Sequence, residues 1–412
     1  MISTVPADFA PTNVAVARPA DQRSYRLSAI DLVRGLVIVI MALDHVRDFT
    51  MVGTDMDPTT NANITAALFF TRWITHFCAP VFVLLAGTSI GLMTARKNRH
   101  ELARFLVGRA VWLIFVEMCV VSTFATLSPR GIPELGGRIL VVMQVIWAIG
   151  ASMLALAALQ YLGRRACLFI GIAVAVGHNL LDPFWTANAI FEERPLWVAL
   201  HAQMSLHAGL FQFTFIYPLL PWIGVMLIGF GASGVFEQPA ARRNAILLRA
   251  GVGMTTIFVL LRAVGVYDDP NPWQLQAGGI MVTVIDFLNT TKYPPSLLFL
   301  LMTIGPAAVL CAFADRWSGI VKNVFVTFGR VPFAFYVTHV MLIHAIAIVL
   351  GMAQGFSARQ FFTIFFFFPK GYGVPLPGVY ALWAFVVIAL YPFCRWVAGV
   401  KARRRDWWLS YV

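Results

Sequence analysis

Charge is scarce in this sequence. Only 12% of its 412 residues are Asp, Glu, Lys or Arg, against roughly 25% in an ordinary soluble domain. Hydrophobic residues make up 59% and the mean hydropathy is +0.77. That balance excludes a soluble globular chain and implies a polytopic membrane protein. Cysteine is sparse too. The five are Cys78, Cys119, Cys167, Cys311 and Cys394, all within apolar runs and none in a C-x-x-C pair. A disulfide framework or a zinc site is therefore not expected. H-E-x-x-H and a P-loop are both missing, which argues against a metal site and against a nucleotide-hydrolysing enzyme. No internal repeat is evident, so the inverted-repeat signature of many transporters is lacking. Residues 1–26 have neither the short apolar core nor the cleavage site of a signal peptide.

What is present is a series of long apolar windows. Windows of about 20 residues suggest ten spans, at 27–48, 66–94, 101–127, 138–160, 166–182, 207–234, 245–265, 294–314, 323–351 and 378–399. With the N-terminus inside, the cytoplasmic segments hold 18 Lys and Arg and the outer segments 6. This bias predicts an all-α transmembrane bundle with both termini cytoplasmic. Residues 1–26 read as a flexible cytoplasmic tail, 27–399 as the membrane domain and 400–412 as a basic cytoplasmic tail. The net charge of +12 arises from these clusters at span ends. It points to membrane lipids as partners rather than nucleic acid. Three outer segments are long, at 49–65, 183–206 and 266–293. The Phe run of 352–377, "FFTIFFFFPKGYGVPLPG", is too short to span and should lie in the interface or against the bundle.

The first span, "IDLVRGLVIVIMALDHVRDF", carries most of the anomaly. Asp31, Arg34, Asp44, His45, Arg47 and Asp48 all lie in it, although each ionisable group in hydrocarbon costs a few kcal/mol. At about 100° per residue, Asp31, Arg34, His45 and Asp48 form one stripe. Such a stripe faces the bundle interior. Arg34 and His45 are about 16 Å apart along the axis. A cation toward the cytoplasm and an imidazole toward the outside suit an extended ligand with an anionic head and a reactive tip, as in acyl-coenzyme A. The blander alternative is an Asp31–Arg34 pair that fixes packing, with Asp44, Arg47 and Asp48 solvated at the outer surface.

"RLSAIDLVRGLVIVIMALDH" resembles the opening of the heparan-alpha-glucosaminide N-acetyltransferase-like family, within a wider group of membrane acyltransferases. Further similarities to its bacterial branch are "HFCAPVFVLLAGTSIGL" from His76, "YPLLPWIGVMLIGFG" from Tyr217, "NTTKYPPSLLFLLMTIGP" from Asn289 and "FGRVPFAFYVTHVMLIH" from Phe328. The resemblance implies an integral protein of the bacterial inner membrane. It implies transfer of acetyl from cytoplasmic acetyl-CoA, the acyl donor, to a sugar or glycan on the far side. One feature departs from the family. Its best-known member carries Asn where this chain has His45, and its essential His lies in the loop before the second span. Here that loop holds no His.

Elsewhere, His76 follows Arg72 by one turn, just before Cys78-Ala79-Pro80. Pro80 should kink the helix there. His76 and Arg72 then line the same cavity as His45, or His76 is a packing histidine. Lys292 precedes the Pro294-Pro295 helix start. It is suited to a substrate carboxylate or phosphate or to a thioester oxyanion, or else it is an interfacial anchor. Gln144 and Trp147 offer a donor face one turn apart. His339 and His344 point about 140° apart, too far to chelate a metal together. They suggest a polar seam with Tyr336 and Thr338. His201 and His207 read as solvated, and His178 as a partner of Asp182.

The expected function is acetyl transfer. His45 is the general base, oriented by Asp44 or Asp48, with His76 the other candidate. Arg34, paired with Asp31, supports the donor together with Lys292. A proton-coupled transporter or flippase using the same Asp/His/Arg stripe is the alternative. Acceptor identity, transfer to nitrogen or oxygen, and homo-oligomer formation are left open.

Overall fold

The computed structural model describes residues 20–53, 64–182, 195–265, 267, 269–404, 406 and 409, with backbone alone for 20–27. Helix α1 (Ala20–Thr50) runs unbroken through all its charges. Helices α2 (Ala66–Thr75) and α3 (Cys78–Met93) form one interrupted span. The helix breaks at His76 and Phe77, so that Pro80 falls at the third residue of α3, where the proline's missing N–H costs no helical hydrogen bond. Helix α4 (Arg99–Phe115) opens on an Asn98–Glu101 capping box. It continues through a π turn (Val116–Val121) into α5 (Ser122–Thr126). Strand β1 (Ile139–Met143) precedes α6 (Val145–Leu159) and α7 (Arg164–Gly177). After α8 (Pro195–Leu200) come β2 (Ser205–Ala208) and β3 (Phe211–Phe215). The rest is helical: α9 (Leu219–Gly231), α10 (Ala240–Val264), α11 (Ile280–Leu288), α12 (Leu297–Phe313), α13 (Gly319–Arg330), α14 (Pro332–Ala353) and α15 (Leu376–Arg403).

Among the described residues, nine helical stretches are long and apolar enough to cross a membrane. Helix α1 is not among them. At 31 residues it is about 46 Å long, but its charges exclude it by composition. The all-α expectation needs correcting. Residues 139–143, placed within the fourth span, form a strand, and residues 205–208 and 211–215 account for the start of the sixth. β3 pairs parallel with β1 and antiparallel with β2. These runs alternate or are β-branched, and a 20-residue apolar window does not separate a buried strand from a helix. The ninth span is also divided: α13 ends at Arg330 and α14 starts at Pro332.

The core gathers around α1, with Leu32, Val33, Ile38, Ala42 and Val46 buried. Its closest neighbour is α13. A Cβ on Gly35 would lie 1.7 Å from the Phe325 carbonyl oxygen, and one on Gly329 would lie 1.8 Å from that of Asp31. The two backbones therefore touch through a reciprocal pair of glycines, as small residues permit between membrane helices. This contact brings Arg34 and Arg330 to one end of the bundle. The Phe run packs against the bundle. Phe361 and Ile364 are buried, and Phe365 and Phe368 meet the ring of Phe49.

Candidate functional site

The charges at the C-terminal end of α1 are buried and paired, not solvated. Arg47, 1% exposed, bridges Asp44 (3.1 Å) and Asp48 (2.5 Å), and Arg72 of α2 bonds the other oxygen of Asp44. Residues 44, 47 and 48 share a helix face, so one guanidinium reaches both acids. The two acids are committed to arginines, and neither orients His45 as expected. On a helix His45 points about 100° away from Asp44.

The partner of His45 is His339 of α14. Its Nε2 lies 2.7 Å from His45 Nδ1, and its Nδ1 lies 3.1 Å from the Phe335 carbonyl oxygen. A carbonyl only accepts, so His339 Nδ1 carries the proton and His339 Nε2 is an acceptor. His45 Nδ1 must then donate, which leaves the lone pair of the neutral His45 on Nε2. Two protonated rings are excluded by geometry, because N–H groups would face each other across that bond. The rings of His45 and His339 stack at 4.9 Å, with Tyr336 edge-on to His45. His339 is a residue the sequence reading left in a general polar seam. Its i−4 spacing to a carbonyl is legible in a helix, but a partner 294 positions away is not.

His45 lines a cavity of about 320 Å³ with Asp44, Asp48, Arg72, Gln144, Gln203, Tyr217, Lys292 and Tyr293, walled by Phe49, Phe365 and Phe366. The sheet supplies part of this wall. Ile216 and Tyr217 follow β3 and donate their backbone N–H groups to Met143 of β1, and Gln144 follows it. Lys292 sits in a clamped turn. Asp269 accepts from the backbone N–H of Thr291 (2.9 Å) and from the hydroxyl of Ser296, and Ser296 caps α12. Lys292 is 7% exposed, and its ammonium lies 5.1 Å over the Tyr293 ring. None of the described acids forms an ion pair with it.

A second cavity of about 300 Å³ lies beside the other half of α1. Its basic lining is Arg34, Arg109, Arg330 and Lys401, with Ser89 beside Arg34. Arg34 donates to Ser89 (2.7 Å) and to Asp31 (3.2 Å). Sequence reasoning missed Arg109, Arg330 and Lys401, which come from α4, α13 and α15. Four residues line both cavities: Met41, Phe82, Val145 and Tyr336. The two chambers therefore border each other at a mostly apolar neck of shared side chains, with Arg34 on one side and His45 on the other.

The remaining expected residues separate from this arrangement. His76 is 2% exposed and lines neither chamber, although Arg72 and Thr75 line the His45 cavity. Among the described residues its ring nitrogens have no hydrogen-bond partner, and its ring packs on Phe299. Lys292 belongs with His45, not with Arg34 and Asp31. His344 is pinned between the carbonyls of Phe124 and Phe361, each at 2.8 Å. His201 is fully buried, not solvated, and pairs with Asp182, displacing the expected His178. Among the described residues no group of acids, His and Cys is placed to hold a metal. Most of the loop before the second span, 54–63, lies outside the described residues.

A helical bundle with buried charge on its central helix and two cavities of different chemistry beside it defines a polytopic membrane protein with ionisable groups lining its interior. The family model for heparan-alpha-glucosaminide N-acetyltransferase, catalytic, matches residues 26–263, more than half of the chain, and the chain belongs to that family. It is a membrane acetyltransferase. No curated protein matches the chain. The matched stretch includes Asp31, Arg34, Asp44, His45 and Asp48. Lys292, Arg330 and Lys401 lie beyond it and are brought to the same chambers by the fold alone, as His339 is brought to His45.

Proposed function

We propose that the protein transfers acetyl from cytoplasmic acetyl-CoA to a sugar or glycan acceptor on the opposite side of the membrane, with His45 as the general base. The observation that carries this reading is the pair of chambers along α1, joined at Met41, Phe82, Val145 and Tyr336. The Arg34 chamber fits the donor. Arg34, Arg109, Arg330 and Lys401 match the phosphates of coenzyme A, since guanidinium groups bind phosphate through paired charge-assisted bonds. The neck suits the thin pantetheine arm. The thioester then arrives beside His45.

His45 Nε2 takes the proton from the acceptor amine or hydroxyl as that group attacks the thioester carbonyl. The positive charge on His45 is shared toward His339 through the bond at Nδ1. Lys292 gives the chamber a positive charge suited to the carbonyl oxygen as it becomes negative. When the carbon–sulfur bond breaks, His45 returns the proton to the leaving thiolate. Gln144, Gln203 and Asp48 offer hydrogen bonds to sugar hydroxyls, and the Phe and Tyr wall offers faces for a sugar ring.

The direction of transfer rests on the Lys/Arg bias of the segments. It is supported by Arg34, near the start of the chain, and Lys401, near its end, lining one chamber. Ten spans with both termini cytoplasmic then follow, counting α1 with the nine apolar stretches.

The test is mass spectrometry of envelope glycans from cells with the gene, without it, and with His45→Ala. An acetylated species should disappear in the last two. Unchanged acetylation after deletion would sink the reading. A substrate that crosses unmodified, and only under a proton gradient, would make the protein a transporter.

A further inference from the structure

We propose that the lipid-facing side of the C-terminal half of α15 is a binding site for the headgroup of an anionic phospholipid. The buried side of this helix is Val379, Val386, Leu390, Cys394 and Val397. On the other side lie Phe385, Ile388, Pro392, Arg395, Trp396, Gly399 and Arg403. At about 100° per residue they fall within one sector of about 100°. All but Gly399 are exposed.

The chemistry of the stripe changes along its length. Phe385 and Ile388, 55% and 71% exposed, come first and suit acyl chains. Trp396, 62% exposed, comes next and suits the level where hydrocarbon meets headgroups. Arg395 and Arg403 flank it. Tyr391, Pro392, Arg395, Trp396, Gly399 and Arg403 together line an open groove of about 460 Å³. Gly399 makes the notch. A Cβ there would sit 3.8 Å from the Arg403 guanidinium, so the missing side chain leaves the surface between the arginines open. Neither arginine has an acidic partner among the described residues.

Two uncompensated guanidinium groups at a membrane surface select a negative ligand, and bidentate bonding to a phosphodiester suits them. The apolar stretch of the same stripe selects a diacyl lipid over a soluble phosphate. The site also has a structural consequence. Lys401 is about 160° from Arg403 around the helix and faces the Arg34 chamber. A headgroup held on the outer side would steady the helix end that closes the chamber within. The lipid site itself needs only the membrane setting and stands independently of the acetyl-transfer reading.

Native mass spectrometry of the full-length protein in detergent tests the site, with phosphatidylglycerol and phosphatidylcholine as probes. Phosphatidylglycerol should be retained in preference. Arg395→Gln and Arg403→Gln should each reduce that preference by on the order of fivefold, the effect of one cation near an anionic surface. Gly399→Leu keeps both charges but fills the notch, and should also weaken retention. All three variants alter exposed or half-exposed positions, and unchanged thermal melting would show that they fold. Equal retention of the two lipids, or a wild-type preference in the double arginine variant, overturns the proposal. So does a dimer that dissociates in the double variant while lipid retention is unchanged, since a second copy would then be the occupant.

Discussion

The bond between His45 and His339 gives the sharpest test of the proposed chemistry. His339→Ala removes the acceptor of the His45 Nδ1 proton without touching the reacting nitrogen. Two losses follow. The tautomer with its lone pair on Nε2 is no longer enforced; a net hydrogen bond of about 0.5–1.5 kcal/mol sets that preference, or roughly 2- to 12-fold in population. The ring also loses its stacked neighbour at 4.9 Å, so its orientation loosens and a further loss follows. Together kcat should fall by on the order of tenfold to a hundredfold. His45→Ala removes the base itself and should cost about 10²–10⁴-fold. The ratio is informative, because a partner that acts only through His45 adds little once His45 is gone. The double variant should be no worse than His45→Ala. His339→Gln retains a carbonyl oxygen that can accept from His45 and should recover part of the loss, whereas a packing role would not distinguish acceptor from non-acceptor. Acetyl transfer measured on purified protein, with kcat and donor KM separated, reads all four variants. Donor KM should stay near the wild-type value in each. Equal activity of His339→Ala and wild type would refute the relay. A fall confined to donor KM would refute it too.

Activity should fall as pH is lowered, because only neutral His45 can accept a proton; activity that stays flat on acidification down to the pH at which the protein unfolds would remove it as the base. Arg34→Ala should weaken stabilisation by acetyl-CoA in a thermal-shift measurement more than it weakens acceptor binding, and an unchanged donor-induced shift would take Arg34 out of the donor path. Asp44→Ala leaves Arg72 without that acid in a buried setting and should cost about 3–5 kcal/mol, seen as a markedly lower melting temperature or lost expression. Gly329→Ala forces α1 and α13 apart, and overpacking of this kind costs about 1–3 kcal/mol. It should lower both melting temperature and donor affinity, since Arg34 and Arg330 sit on the displaced surfaces.

The sequence was legible where the physics is local. The spacing of Asp31, Arg34, His45 and Asp48 put them on one side of one helix, and the structure turns that side inward. Pro80 marked the interruption of the second span. Lys292 stood out by its position before Pro294 and Pro295, but the helix expected to start there begins at Leu297 with Ser296 as its cap, and only tertiary structure shows which chamber Lys292 enters. Long-range partners were not legible. Nothing in the spacing of His45 selects His339 as its partner rather than Asp44 one residue away. The same holds for Arg109, Arg330 and Lys401, which read singly as ordinary basic ends of spans. The strands were missed because "ILVVM" is as apolar as any helical run of five, and length could not separate them inside a longer window.

The charges of α1 divide into groups with different reasons to be there. Arg47, with Asp44, Asp48 and Arg72, forms one ion-pair network. It holds the ends of α1 and α2 together and exposes acid oxygens to the His45 chamber while their charge stays compensated. Asp31 pairs with Arg34 and, at 3.9 Å, with Arg330 of α13, and Arg109 of α4 and Lys401 of α15 line the same chamber. His45 stands apart from both groups. Among the described residues its one hydrogen bond is with another histidine ring, and a base needs that environment: an acid in place of His339 would favour the protonated form of His45 before substrate arrived. Replacing His339 with Asp should therefore produce a folded protein whose activity requires a higher pH than the wild type. An unshifted profile in that variant would show that His45 titrates free of His339, and the orientation argument would fail with it.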